Sequence, residues 1–163
     1  MIILHPSPAR DYDKRRWDKW PALADAIVEK YGEVHFTGTE DQIGYIADII
    51  CQMRHFSAAT NLGGAMETVE FMKFLSTANL LVTVNSMPMH AAMALNIPCV
   101  AIIGGTPASI TVSDQCKKIA WVEDPALKDW DANTATYGSP KINEITVEQV
   151  MEKVDGIYHH TGA

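Results

Sequence analysis

Residues 80 to 106, LLVTVNSMPMHAAMALNIPCVAIIGGT, constrain this chain more than any other stretch. Leu80, Leu81, Val82 and Val84 form an apolar run of strand length, and the polar corner Asn85-Ser86-Met87-Pro88-Met89-His90 follows. A short helix of small residues, Ala91 to Leu95, comes next. A second apolar run, Cys99 to Ile103, then stops at Gly104-Gly105-Thr106. Strand, corner, helix, strand and glycine loop in that order is the pattern of a parallel α/β sheet. Ligands of such sheets sit beyond the carboxyl ends of the strands, where both loops fall.

The rest of the chain repeats the alternation. Ile2-Ile3-Leu4 reads as a short buried strand ended by His5-Pro6-Ser7-Pro8, and the polar loop to Trp17 carries Arg10, Lys14, Arg15 and Arg16. Trp20, Leu23, Ala24, Ile27 and Val28 recur at helical spacing, with Pro21 suited to a first turn and Tyr31-Gly32 at the end. Val34, Phe36 and Thr37 make a second strand closed by Gly38. The spacing predicts a helix over about 41–53, with Ile43, Ile46, Ala47 and Ile50 inside. Ser57 to Thr60 reads as a short strand and Thr68 to Thr77 as a helix. Ile119 to Val122 reads as a last strand and 123–144 as irregular. A helix over 146–158 closes the chain, with Thr146 as N-cap and Val147, Val150, Met151, Val154 and Ile157 as its apolar stripe. Five or six strands alternating with helices specify one doubly wound domain, and the short crossovers require parallel pairing.

Composition narrows the function. A net charge of −7 argues against a nucleic-acid partner, which needs a basic footprint. Three cysteines, Cys51, Cys99 and Cys116, share no close spacing, so neither a disulfide framework nor a metal site is expected, and a reducing cytoplasm fits. No signal peptide and no membrane span is visible. No G-x-G-x-x-G, P-loop, HExxH or G-x-S-x-G motif is present, and no cofactor is expected.

Loops 5–16, 38–41 and 104–107, with the corner 85–90, converge on one edge of such a sheet. Helix N-termini there suit a phosphate, and Arg15 or Lys14 would add charge-assisted contacts. Each feature also has a plainer role. Glycines after strands turn the chain, Asn85-Ser86 cap a helix, and a run such as Lys14-Arg15-Arg16 is more often a solvated loop than a site. His90 either donates to a ligand or serves as a cap or core histidine. Met87, Met89 and Met93 fit packing better than metal binding.

Several stretches together resemble the C-terminal half of glycosyltransferase family 9, the heptosyltransferase-like enzymes. They are Asn61-Leu62, then Leu80-Leu81-Val82-Thr83, then Ser86, then Pro88-Met89-His90-Ala91-Ala92, then Ala94-Leu95 and Pro98. Leu4-His5-Pro6, Arg15-Arg16-Trp17, Ala22-Leu23-Ala24 and Ile145-Thr146-Val147-Glu148-Gln149-Val150 extend the likeness over nearly the whole chain, in the family's order. The resemblance implies a Rossmann-like half of a GT-B enzyme that binds a nucleotide-diphosphate sugar of the ADP-heptose kind. It places Arg15 where the family has a phosphate-binding lysine. Ser86, Met89, His90, Gly104, Gly105 and Thr106 would border the diphosphate and sugar, Gly38 to Gln42 the ribose and base, and His5 would be a further nucleotide-sugar-binding residue. It assigns no catalytic residue. Two positions depart from the pattern: Asn85 replaces the family's aspartate, and Met87 replaces a glycine. The acceptor half is missing from the likeness, so an acceptor-domain partner chain would complete the cleft, or the open cleft face would be covered in a homodimer. Otherwise the chain is a non-catalytic binding protein that keeps the fold.

Overall fold

The computed structural model describes residues 1–6 and 13–160, so the expectation placed on Ser7, Pro8 and Arg10 lies outside the described residues. Six strands form one sheet: β1 (Ile2–His5), β2 (Val34–Gly38), β3 (Ala59–Gly63), β4 (Leu80–Val84), β5 (Cys99–Ile103) and β6 (Ile119–Glu123). All neighbours are parallel, in the order β3-β2-β1-β4-β5-β6. The chain winds outward from β1 to one side and then returns to the other, so the direction of winding reverses between β1 and β4. This is a doubly wound, Rossmann-like sheet with its crevice at that reversal.

The period of two along each strand divides the core. Ile2, Leu4, Val82, Val100 and Ile102 face α1 (Trp20–Tyr31), α2 (Ile43–Cys51) and α6 (Val147–His160). Ile3, Leu81, Cys99, Ala101 and Ile103 face α3 (Thr68–Leu75), α4 (Met87–Ala94) and α5 (Ala108–Thr111). Because β1, β4 and β5 are covered on both faces, their sequences are apolar without alternation.

Several boundaries move for identifiable reasons. The corner expected over 85–90 is mostly helix: Ser86 is the extended N-cap of α4, and Pro88 sits in its first turn. The strand expected at Ser57–Thr60 starts later. Phe56–Ala58 is a 3-10 turn, and pairing with β2 aligns Val34 with Ala59 and Gly38 with Gly63. The helix expected from 41 begins as a 3-10 turn over Glu40–Gln42; Ile46 and Ile49 are its buried residues, while Ile43 is exposed. The helix expected to reach Thr77 stops at Leu75, because the Ser76 and Thr77 hydroxyls donate back to the Lys73 and Phe74 carbonyls, both at 2.7 Å. Residues 123–144 carry 3-10 turns at Pro125–Asp129 and Ile142–Glu144 within otherwise irregular chain. No described helix is long and apolar enough to cross a membrane.

Candidate functional site

The carboxyl ends of β1, β4 and β5 lie side by side, so His5, Asn85 and Gly104 open onto the same crevice. The tightest part is the glycine turn. A Cβ on Gly104 would fall 1.9 Å from the Lys14 carbonyl oxygen, so the basic loop packs directly on its α-carbon. Gly105 has φ +84°, a conformation that favours glycine, and the Arg15 Nε lies 3.2 Å from where its Cβ would be. The sequence therefore needs both glycines to seat the basic loop against β5.

A buried network holds this turn from beneath. The Gly105 N–H donates to the Tyr137 hydroxyl at 3.2 Å, and that hydroxyl donates to Asp124 Oδ2 at 3.1 Å. Asp124 is 1% exposed and also accepts from the Ala126 and Lys141 N–H groups. Burial, more than any other cause, pushes the Tyr137 phenol up to about 12. Lys14 Nζ sits 4.6 Å from the centre of the Tyr137 ring, a cation–π contact. Neither Asp124 nor Tyr137 was singled out from the sequence. The one local signal is Asp124-Pro125 directly after a strand; the link to Gly105 is tertiary.

Across the crevice, His5 Nδ1 is 3.0 Å from Thr37 Oγ1, and the His5 carbonyl accepts from the Thr83 hydroxyl at 3.2 Å. Desolvation pushes the His5 imidazole down to about 4, so it is neutral at neutral pH. His5, Thr37, Gly38, Met66, Phe71 and Met87 line a cavity of about 70 Å³. Gln42 is buried, and its amide oxygen accepts the Thr39 N–H at 3.1 Å in a capping box.

Asn85 is buried and donates from Nδ2 to the Thr106 carbonyl at 3.4 Å, joining the two loops. The Ser86 hydroxyl turns back to the Val84 carbonyl at 3.4 Å rather than capping α4. Met87 is 50% exposed at the mouth of the cavity, whereas Met89 is wholly buried in the core and offers the crevice no side chain. His90 is exposed, so it is not a core histidine. The structure thus groups Lys14, Arg15, Asn85, Gly104, Gly105 and Thr106 on one side, with His5, Gly38 and Met87 on the other. Ser86 lies at the entry of α4 between them.

The remaining titratable groups are dispersed. Among the described residues no three His, Cys, Asp or Glu side chains are close enough together to hold a metal ion. Cys99 is buried, with its thiol pushed far up by desolvation, so it is inert packing.

Comparison with known proteins adds three findings. Residues 1–135 match the family model described as "Glycosyltransferase family 9 (heptosyltransferase)". No curated protein matches the chain. Among solved structures, a family 9 glycosyl transferase from Veillonella parvula aligns with a TM-score of 0.82 at 17% identity, over 98% of this chain and 46% of that one. The E. coli ADP-heptose lps heptosyltransferase II aligns with a TM-score of 0.80 at 19% identity, over 99% of this chain and 47% of its own. E. coli heptosyltransferase WaaC, solved with ADP, aligns with a TM-score of 0.71 at 15% identity, over 95% and 43%. The chain spans about half the length of each of these structures.

Proposed function

The chain belongs to glycosyltransferase family 9, and from that membership we propose that it is a module binding a nucleotide-diphosphate sugar, an ADP-heptose-like donor, at the crevice between β1, β4 and β5. The observation that carries this is the Arg15 guanidinium packed on the left-handed turn at Gly105, a loop that Asn85, just ahead of α4, joins through the Thr106 carbonyl. A guanidinium and first-turn N–H groups are the two standard partners of a diphosphate. In this reading Arg15, the glycine turn and the entry of α4 hold the diphosphate. Gly38 and the cavity beside His5 flank the nucleoside, and Asn85, Thr106 and His90 flank the sugar. When the bond from sugar to phosphate breaks, the departing diphosphate gains charge where that cation and helix N-terminus already point. Transfer to an acceptor would need a second wall to the cleft, from the same polypeptide or from a partner chain.

Asn85 and Met87 favour a second reading, binding without transfer. Asparagine in place of the family's aspartate lacks its charge, and the Met87 side chain stands in the mouth of the cavity.

Thermal unfolding with ADP and with ADP-, UDP- and GDP-sugars tests the donor binding that both readings share. A ligand at 100 times its dissociation constant adds about 2.7 kcal/mol. Arg15→Ala is expected to weaken binding of the stabilising ligand about tenfold, the loss of one charge-assisted contact. No shift with any diphosphate overturns the donor reading, and an unchanged affinity in Arg15→Ala overturns the placement of the phosphate.

A further inference from the structure

We infer that Tyr137 is a positioning residue of the diphosphate crevice, fixing the glycine turn through its hydroxyl and the Lys14 ammonium through its ring. The inference rests on the diphosphate reading above and draws its residue from a segment to which that reading gives no role.

The turn after β5 is held residue by residue, each time by a different segment. The Lys14 carbonyl packs on Gly104, the Tyr137 hydroxyl takes the Gly105 N–H at 3.2 Å, and Asn85 reaches the Thr106 carbonyl at 3.4 Å. The hold by Tyr137 is fixed in polarity. A carboxylate oxygen only accepts, so the hydroxyl donates to Asp124 at 3.1 Å and must offer Gly105 a lone pair. Asp124 is itself pinned, because it is buried and receives the Ala126 N–H at 2.8 Å and the Lys141 N–H at 3.1 Å.

The segment that delivers Tyr137 is anchored before and after it. The Asp131 N–H donates to the Thr136 carbonyl at 2.7 Å, and the Asp131 carboxylate receives the Asn133 N–H and the Thr134 hydroxyl, both at 2.9 Å. Tyr137 follows this closed turn directly, and the chain then returns to Asp124 through Lys141.

This arrangement decides what the turn can give an anion. With its N–H taken by Tyr137, Gly105 has no amide left for a phosphate, so the positive charge must come from side chains. Lys14 Nζ stands 4.6 Å from the centre of the Tyr137 ring and forms no ion pair among the described residues. Arg15 packs on Gly105, and its charge works against the burial that raises the Tyr137 phenol. Two cations thus meet at one turn, as two phosphoryl groups require, and one phenol sets the geometry of both.

Isothermal titration calorimetry of the whole chain with ADP, inorganic pyrophosphate and adenosine tests this. Tyr137→Phe keeps the ring and removes the hydroxyl. It is expected to weaken ADP and pyrophosphate about tenfold and leave adenosine unchanged, a split that a general loosening of the fold would not produce. Tyr137→Leu removes the ring as well and is expected to cost about a further threefold, a difference that vanishes in a Lys14→Met background. Lys14→Met alone, which leaves the hydroxyl network intact, is expected to weaken pyrophosphate in its own right. A wild type that binds neither ADP nor pyrophosphate overturns the diphosphate reading and this inference with it. Binding that Tyr137→Phe or Lys14→Met leaves unaltered, an equal loss for adenosine, or a ring effect that persists without Lys14 overturns the inference alone.

Discussion

Gly104 has no room for a side chain, because the carbonyl of Lys14 occupies the place of its Cβ. Gly104→Ala must push the basic loop off β5. The expected cost is about 2 kcal/mol by urea unfolding, with the affinity for any diphosphate falling alongside. His5 gives a pH dependence of definite sign. Its folded pKa, about 4, lies below the ordinary 6.5, so the unfolded chain takes up the proton first as pH falls. The contribution of the neutral imidazole is complete above pH 6.5 and is lost between about 6.5 and 4, at most about 3 kcal/mol. Urea unfolding across that window should show this slope in the wild type and lack it in His5→Asn. At this scale the sequence brought residues around the crevice to notice without their partners. Arg15 and Gly105 stand out as a cation and a glycine after a strand. Tyr137 and Asp124, which hold Gly105 in place, look like ordinary loop residues, because nothing local marks a contact across 32 positions.

Among the elements, α6 was the plainest in the sequence because its start is encoded twice. The Thr146 hydroxyl accepts the Gln149 N–H at 3.2 Å, and the Gln149 amide oxygen accepts the Thr146 N–H at 2.8 Å. Thr146→Ala removes half of this capping box and should cost about 1 kcal/mol, read as a lower denaturation midpoint with an unchanged slope. The start of α4 was hidden for the opposite reason. Apart from His90 its residues are small or apolar all round, so no stripe marks where the helix begins, and Asn85-Ser86-Met87-Pro88 reads as a turn. β3 was displaced because two of its middle residues, Thr60 and Asn61, are exposed on an edge and carry no apolar run. Its position is set by pairing with β2.

For the whole molecule, the parallel doubly wound class was legible from the alternation of apolar strands with amphipathic helices. The order of strands was not, since it depends on which edges meet after the helices dock. Trp17 shows how distant segments close on each other. It is fully buried, packs edge-on against Trp20 with ring centres 5.5 Å apart, and donates from its indole nitrogen to the Ile145 carbonyl at 3.0 Å. That contact ties the basic loop before α1 to the entry of α6, 128 residues away. Trp17→Ala should cost about 3–5 kcal/mol and lower one cooperative transition rather than a local one, checked by coincident far- and near-ultraviolet circular dichroism melts.

The central place of β1 has a consequence for the order in which the sheet can assemble. Along the chain β1 has β2 close by as one partner; its other side waits for β4, whose Thr83 meets His5 across 78 residues. Until then the assembling sheet carries an unshielded flank of Ile2, Ile3 and Leu4, all buried in the finished fold. Closing so long a loop is slow, and the interval invites association with other nascent chains. The strand that anchors the finished sheet is therefore the one whose second partner lies farthest along the chain.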